Sequence, residues 1–380
     1  MSEPDTTPET GVPDMNALLA VIRTMVGEVH PHWKNLHFTP DTHLERELGL
    51  DSMARMELRT RIESALDVTL DESMAICANT PNSLMQVILR GNDGTGGTAL
   101  ECRVVADAGG DDSGLLMGSF GQAQHPAEAP EHRSLTEWIY AVYCWIVFLG
   151  LGLVTWLLVV LAPLASWRRK LAHIGARLLF GLTFTPLRVT GTEHLDPEQE
   201  HIVVANHASY LDGFIVTAAL DISIHFIVKG ELARILPARL LLQRFGVEFV
   251  DRFNSNKAAG DVNRITRKSE AGQTIVFFPE GTFTTFPGLQ PFRMGAFVTA
   301  VRTSVPVTPV AIRGARNIIR GSNWFPRRGR IEVTVLPPIT PTGEGWQVAL
   351  DLRDAARSEI ARYCGEPDLV EGTGSEENTA

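Results

Sequence analysis

The stretch that decides the fold is residues 202–212, which read IVVANHASYLD. Its four apolar residues predict a buried strand, and a polar loop with His207 and then Asp212 follows. Residues 274–282, TIVFFPEGT, repeat this order, with a strand-like run before the polar turn that contains Glu280. Because α/β folds place their sites beyond the ends of strands, we expect the two polar clusters to meet at one edge of a sheet.

Further strand-like runs alternate with helix-like stretches around these two. The predicted strands cover 187–189, 201–205, 224–227, 274–278, 307–312 and 331–335, and the main predicted helices cover 232–245 and 257–271. This alternation predicts an α/β domain at residues 171–365. The acidic residues at 366–380 have the composition of a tail.

The N-terminal part predicts a separate all-α domain of four helices at residues 14–90, after a disordered leader at 1–13. Apolar stripes with helical spacing mark residues 15–29, 53–66 and 82–89. Residues 91–133 are rich in Gly, Asp, Ala and Ser, which predicts a flexible linker. The first thirty residues lack a basic start followed by an apolar run, so no signal peptide is expected.

The net charge of −10 is unevenly distributed along the chain. Residues 1–133 carry 9 basic and 21 acidic side chains, whereas residues 168–365 carry 25 basic and 17 acidic ones. The two parts could attract each other, or the basic part could meet anionic lipid; no nucleic-acid partner is expected. The four cysteines are scattered and predict reduced cytosolic thiols, with neither a disulfide framework nor a metal site.

Residues 138–167 contain no charged side chain. As one helix they would extend roughly 45 Å, against about 30 Å for a bilayer's hydrocarbon core. Aromatic residues near both ends and the basic run at 168–170 are typical of a membrane interface, which favours a membrane segment over a buried core helix. The length is too great for one span and too small for two. We therefore predict a helical hairpin that bends near Gly150, Gly152 or Pro163 and returns to the same side.

Residues 49–52, GLDS, precede an amphipathic helix. Asp51-Ser52 could serve only as a helix cap, but PDT at 40–42, LDVTL at 66–70 and TP at 80–81 complete a pattern that resembles acyl and peptidyl carrier proteins. The resemblance implies 4′-phosphopantetheine on Ser52, attached by a phosphopantetheinyl transferase. The following helix carries three arginines where fatty-acid carriers are acidic, which favours a dedicated loading ligase; they are Arg55, Arg59 and Arg61.

Four ordered blocks give a second resemblance. They are H-x4-D at 207–212, GVEFVDR at 246–252, FPEGT at 278–282 with FRMGAF at 292–297, and VPVTPVAI at 305–312. Together they resemble the 1-acylglycerol-3-phosphate acyltransferase family of glycerolipid acyltransferases, over residues 187–314. The resemblance implies a catalytic pair and an acceptor site; the pair is His207 and Asp212, and the acceptor site is Arg252, Glu280, Gly281 and Thr282.

The chemistry also follows from the residue types. A lipid hydroxyl is a poor nucleophile and needs a base, and imidazole is the side chain suited to that role near neutral pH. Positions five apart lie on different faces of a regular helix, so a turn must bring His207 and Asp212 together. Ser209 is predicted to cap a helix, because no nucleophile elbow surrounds it.

These inferences predict a membrane-bound O-acyltransferase on the cytoplasmic face of the inner or plasma membrane. Its donor would be the thioester on Ser52 or an external acyl-CoA or acyl carrier, and its acceptor a lysophospholipid. Two alternatives remain: a lyso-lipid acceptor without glycerol phosphate, and a non-catalytic tether that holds a carrier at the membrane. Acceptor identity, acyl length and oligomeric state are left open.

Overall fold

The computed structural model describes residues 14–33, 38–45, 47–70, 78–91, 133–229, 236–244, 247–250, 273–281, 287–319 and 324–368. The chain divides into two compact units, residues 1–123 and 124–380. The division falls inside the stretch of linker composition. The two units are described separately below.

The first unit is helical. Its helices are α1 (Met15–Val29), α2 (Ser52–Leu66) and α3 (Pro81–Gly91), with a 3-10 turn at Pro31–Trp33. Apolar side chains of all three helices are fully or almost fully buried, among them Leu18, Ile22, Leu58, Ile62, Leu84 and Ile88. These helices match the three predicted stripes. The fourth predicted helix is not among the described residues of this unit, and residues 71–77 lie outside them.

The start of α2 is fixed by its preceding residues. The Asp51 side chain accepts hydrogen bonds from the backbone N–H groups of Met53 (3.1 Å) and Ala54 (2.8 Å). Gly49 has φ +63°, and a Cβ there would lie 2.5 Å from His30 Nε2, so only glycine fits. The GLDS sequence therefore sets both the turn and the helix cap.

The three arginines of α2 make internal contacts. Arg55 is buried and donates to the carbonyl of Ala78. Arg59 pairs with Glu63 at 3.1 Å, one turn along the helix. Arg61 pairs with Glu57 at 3.0 Å and, across to α1, with Glu28 at 2.8 Å. These basic residues therefore stabilise the helical packing.

The second unit begins with an antiparallel pair of helices, α4 (Leu135–Leu161) and α5 (Ala165–Leu182). Near the start of α4, the Tyr140 hydroxyl donates to the carbonyl of Thr183 (2.9 Å), just past the end of α5. In the middle, Gly175 packs so closely on Thr155 that a Cβ would lie 2.6 Å from its hydroxyl. The pair is therefore a tightly packed hairpin.

The bend of this hairpin lies at residues 162–164, beside Pro163. Of the three positions predicted for the bend, Pro163 is therefore confirmed, and Gly150 and Gly152 are wrong because α4 continues through both glycines. Among the described residues, α4 is the one helix long and apolar enough to cross a membrane, and 11% of its most apolar window is buried.

A seven-stranded mixed sheet forms the centre of the second unit. Its strands are β1 (Leu187–Thr190), β2 (Ile202–Ala205), β3 (Ile224–Lys229), β4 (Glu248–Val250), β5 (Thr274–Phe277), β6 (Val307–Arg313) and β7 (Ile331–Val335). The order is β1-β7-β6-β2-β5-β3-β4, and all neighbours are parallel except β6 and β7. Every predicted strand is present, and β4 is added to them.

The remaining helices are α6 (Asp212–Ala219), α7 (Leu236–Arg244), α8 (Gly295–Thr303), the short α9 (Ala315–Ile318) and α10 (Trp346–Cys364). The predicted helix at 257–271 lies outside the described residues. The central strand β2 is buried along its whole length, since apolar side chains cover both faces of the sheet. The loops after β2 and β5 consequently start from a rigid base.

Candidate active site

The two polar clusters seen in the sequence meet at one edge of the sheet. Strands β2 and β5 are parallel neighbours, with Val204 opposite Phe277. The cluster that follows β2 contains His207, and the cluster that follows β5 contains Glu280. The carboxylate of Glu280 joins them, because its Oε1 accepts the backbone N–H of His207 at 2.6 Å.

Asn206 attaches the first loop to the sheet. Its side-chain amide donates to the carbonyl of Ile312 (2.9 Å), and its oxygen accepts the N–H of Ile312 (2.7 Å). The residue is 1% exposed. This two-way bond to β6 holds the backbone just before His207, so the position of the histidine is set by the sheet itself.

His207 and Asp212 form a hydrogen-bonded pair, with Nδ1 2.8 Å from Oδ2. The same Oδ2 accepts the backbone N–H groups of Ala208 (2.7 Å) and Ser209 (2.8 Å). Asp212 is the first residue of α6 and is completely buried, while the His207 side chain is 21% exposed. The loop-to-helix turn thus brings the two residues together. It presents the far side of the imidazole ring towards solvent.

An aromatic ring supports the imidazole. Phe278, the residue after β5, stacks on His207 with 4.7 Å between ring centroids and 28° between planes. Phe278 is the first residue of the FPEGT block. Its stacking on His207 could not be predicted from the sequence, which shows only an aromatic residue at the end of a strand.

Glu280 is buried, and both of its oxygens accept backbone N–H groups. Oε2 accepts from Gln290 at 2.9 Å, in addition to the bond from His207 to Oε1. The pKa of this carboxyl is raised to about 7, mainly by burial and also by the negative charge of Asp212, while the two N–H donors and Arg316 act in the opposite direction. Glu280 therefore links the β2 loop to the segment before α8.

Gly281 follows in a left-handed conformation with φ +75°. A Cβ at this position would lie 2.7 Å from Arg293 Nε, so the glycine allows the arginine to approach the turn. Arg293 lies in the FRMGAF block at 292–297. The close approach was not readable from the sequence.

The Ser209 hydroxyl has a structural role that differs from the predicted cap. It donates to the carbonyl of Ile319 (3.2 Å) and accepts the N–H of Leu211 (3.3 Å). The cap position of α6 is Leu211, which makes no side-chain cap bond. The cap prediction is therefore wrong by two residues. The hydroxyl instead holds the loop against the segment after α9.

The other predicted site residues are placed as follows. Arg252 and Thr282 lie outside the described residues. Ser52 is the first residue of α2, in the other unit. Gly281 and Glu280 lie next to the histidine–aspartate pair, as described above. In the described part of the chain, no cluster of His, Cys, Asp or Glu could hold a metal ion.

The start of α2 is suited to a phosphopantetheine arm. Ser52 is the first residue of the helix, where the positive end of the helix dipole would stabilise the negative charge of a phosphodiester. Asp51 already occupies the N–H groups of Met53 and Ala54, so those two donors cannot also serve the phosphate. The stabilisation of a phosphate at this position would therefore come from the helix dipole.

The fold and the site together define an α/β domain with a histidine–aspartate pair at the carboxyl edge of its sheet. Residues 186–313 match the family described as Acyltransferase, and residues 20–88 match the one described as Phosphopantetheine attachment site. The chain thus joins a domain of the acyltransferase family to a domain of the phosphopantetheine-attachment family.

Named relatives match the second unit. A "1-acyl-sn-glycerol-3-phosphate acyltransferase alpha" from Mus musculus is 32% identical over 182 residues, which cover 46% of this chain and 61% of that protein. A "1-acyl-sn-glycerol-3-phosphate acyltransferase" from Haemophilus influenzae is 29% identical and is covered over 75% of its length, with 49% of this chain. The chain thus spans about three fifths of the first of these relatives.

A solved structure shows the same fold. The 1-acyl-sn-glycerophosphate (LPA) acyltransferase, PlsC, from Thermotoga maritima superposes with a TM-score of 0.51. The match covers 60% of this chain and 95% of that one, at 22% identity. At this identity the likeness establishes the architecture of the second unit.

Proposed function

We propose that this chain is a membrane-bound O-acyltransferase that moves a fatty acyl group from a phosphopantetheine thioester to the hydroxyl of a lysophospholipid resembling 1-acylglycerol 3-phosphate. The observation that carries the proposal is the triple hydrogen bond to Asp212 Oδ2, which fixes His207 at the edge of an acyltransferase-family domain. The family of the first unit supports the donor, and the names of the relatives support the acceptor.

His207 would act as the general base through Nε2. Asp212 accepts the Nδ1–H, which fixes the tautomer whose Nε2 can take a proton. As Nε2 removes the proton of the acceptor hydroxyl, the oxygen attacks the acyl carbonyl. The C–S bond then breaks, and the imidazolium returns its proton to the departing sulfur. The products are an ester and a thiol, and the histidine is regenerated.

Asp212 would be a positioning residue and would stabilise the imidazolium that forms during transfer. Its complete burial strengthens this effect, because the carboxylate and the ring interact with little water between them. The two backbone bonds prevent rotation of the carboxylate. The pair is thus organised before the substrate binds.

The donor would be attached at Ser52. A phosphopantetheine arm supplies the acyl group as a thioester, whose thiolate is a good leaving group. A phosphopantetheinyl transferase would install the arm, and a ligase or another acyl donor would load it. The helix after Ser52 carries three arginines where fatty-acid carriers are acidic. These arginines also stabilise the packing of the unit, because each contacts another group within it; they are Arg55, Arg59 and Arg61.

The acceptor would bind beside the pair. Arg252, Gly281 and Thr282 are proposed to contact its glycerol phosphate, and Glu280 is proposed to hold the wall of this site through its two backbone bonds. The apolar helix α4 would keep the enzyme at the cytoplasmic face of the membrane, where such an acceptor is found.

The test is single-turnover transfer by the full-length, acyl-loaded protein to lysophosphatidate in mixed micelles. We expect His207→Ala to lower the rate by at least about 10³-fold without changing thermal melting or the loading of Ser52. His194→Ala, which alters a histidine outside the site, serves as the matched control. A Ser52→Ala chain should accept no arm, as intact-protein mass shows.

The outcomes separate the alternatives. An active His207→Ala protein would disprove the base assignment. A wild-type protein that acylates monoacylglycerol or a lyso-aminolipid as fast as lysophosphatidate would indicate an acceptor without glycerol phosphate. A loaded wild-type protein that transfers to none of these would support the tether.

A further inference from the structure

A cleft of about 620 Å³ lies next to the carboxyl end of β6. Its only charged lining residues in the described chain are four arginines and two glutamates, namely Arg313, Arg316, Arg328, Arg330, Glu332 and Glu366. Four positive and two negative side chains leave an excess of two positive charges. None of the four blocks that carried the family resemblance includes these residues.

One of the two excess positive charges is located at the mouth of the cleft, and the other is that of Arg328, whose guanidinium lies 5.1 Å from the centre of the Tyr140 ring. Arg316 is buried at the back and pairs with Glu366, because its Nε lies 2.9 and 3.0 Å from the two carboxylate oxygens. Arg313 and Arg330 share Glu332 at 3.9 and 3.7 Å, which are longer than hydrogen bonds. Their side chains are 62% and 80% exposed. Two weakly paired guanidinium groups therefore face the opening.

The cleft is adjacent to the histidine–aspartate pair. Strand β6 is the neighbour of β2, and Arg313 follows Ile312, the residue to which Asn206 is bonded. His207 comes directly after Asn206. At the back, the charge of Arg316 acts on Glu280, whose Oε1 accepts the N–H of His207. The cleft and the candidate catalytic base thus lie on neighbouring strands at the same edge of the sheet.

We propose that this cleft binds a phosphate ester through Arg313 and Arg330. Guanidinium groups bind phosphate oxygens through paired N–H donors, and a phosphate would replace the distant contacts to Glu332 with short ones. The inference rests on the proposed function, whose reaction offers two such esters. One is the phosphate of the lysophospholipid acceptor, and the other is the phosphodiester at the root of the phosphopantetheine arm.

The experiment measures binding without turnover. Full-length Ser52→Ala protein, which cannot carry an arm of its own, is titrated by calorimetry with glycerol 3-phosphate and with 4′-phosphopantetheine. Glycerol and pantetheine are the phosphate-free counterparts. We expect phosphate-dependent binding that weakens at least about 10-fold in Arg313→Gln/Arg330→Gln, because two charge-assisted contacts are lost. Raised salt should weaken it in the parent protein.

Two variants guard against a folding artefact. Glu332→Gln should tighten binding, because it removes the carboxylate that competes with the phosphate, and damage to the fold does not tighten a site. Arg302→Gln, an exposed arginine on α8 that does not line the cleft, should leave binding unchanged.

Preference for glycerol 3-phosphate would assign the cleft to the acceptor, and preference for 4′-phosphopantetheine would assign it to the donor arm. The absence of phosphate-dependent binding, or a double variant that binds like Arg302→Gln, would overturn the inference. Because no transfer is measured, a protein that binds phosphate but fails to acylate any acceptor would refute the proposed function alone.

Discussion

At the residue scale, the position of His207 depends on one carboxylate oxygen of Asp212, which accepts several hydrogen bonds. Asp212 Oδ2 receives the imidazole N–H and two backbone N–H groups, and the side chain is completely buried. An asparagine would have almost the same shape, but it has no charge to stabilise an imidazolium. If its NH2 group took the place of Oδ2, the imidazole N–H and the two backbone N–H groups would have no acceptor there.

We predict that Asp212→Asn lowers the rate of acyl transfer by about 10²–10³-fold, which is less than the effect of His207→Ala, because the base survives with poorer orientation. The measurement is the single-turnover rate of the loaded protein with saturating acceptor. Loading of Ser52 and the melting temperature serve as controls. An Asp212→Asn protein with the wild-type rate would show that the carboxylate has no part in the chemistry.

Glu280 gives a pH-dependent prediction. Its pKa is raised to about 7 from an ordinary 4.5, so the folded state binds this proton more tightly than the unfolded state. The stabilisation is complete below about pH 4.5 and is lost as the pH rises through about 7. Glu280→Gln lacks this titration. Between pH 4.5 and pH 8, the free energy of unfolding of the variant should therefore rise by up to about 3 kcal/mol relative to that of the wild type.

Paired melting curves of the two proteins across this range provide the measurement, since every other titrating group is shared and cancels in the difference. At acid pH we expect the variant to be the less stable one, because its amide cannot accept both backbone N–H groups. A difference in stability that does not vary with pH would contradict the assigned pKa.

At the scale of elements, we expect the hairpin of α4 and α5 to determine how the protein meets a membrane. A 27-residue helix is about 40 Å long, sufficient to span a bilayer. Yet the α/β domain lies along α4: Trp138 contacts Phe325, Phe148 contacts Phe214, and beyond the turn Arg168 donates to the carbonyl of Arg244. We infer that a helix held by such contacts to the domain does not cross the hydrocarbon core, because the attached parts of the domain would have to enter it.

We therefore predict that the hairpin lies in one leaflet and that both ends of α4 remain on the cytoplasmic side. Single cysteines at Ser134 and Ser166, both exposed, are introduced into a protein whose own four cysteines are replaced by serine. In intact cells an impermeant thiol reagent should label neither position, and after lysis it should label both. Labelling of one position in intact cells would show that α4 spans.

At the scale of the whole molecule, the covalent link between the two units matters for the donor. Linker composition over residues 91–133 predicts a reach of roughly 35 Å, and such tethers give effective concentrations near the millimolar range. The opposite charges of residues 1–133 and 168–365 favour the same encounter.

We predict that the intact chain transfers its acyl group at least about 10-fold faster than the two separated units mixed at micromolar concentration, because the tether replaces a bimolecular encounter. The comparison is made with the chain cut by a protease at a site engineered into the linker, so that loading is identical before cleavage. Equal rates before and after cleavage would show that the linkage is incidental and that an external donor can serve equally well.

The sequence by itself determined the strands, the two polar clusters and the two families, because each depends on local pattern. Apolar runs of four to six residues that end in polar or turn residues are typical of a buried strand, and the placement of β2, β5 and β6 followed. The turn that joins His207 to Asp212 was also predictable, since helix geometry separates positions five apart. The helix cap within GLDS, which is Asp51, was predictable from local sequence in the same way.

The features that depend on contacts between distant parts of the chain were decided only by the tertiary structure. Glu280 bonds to a residue 73 positions away, and Asn206 to one 106 positions away, and no local pattern encodes such pairs. The tertiary structure also decided among the three predicted positions of the bend, which lies at Pro163 and not at Gly150 or Gly152. Glycine only permits a break, whereas the packing of Gly175 on Thr155 and of Tyr140 on Thr183 favours a straight α4. The arginine cleft depends on strand order, since β6 and β7 are antiparallel neighbours that bring Arg313 beside Glu332.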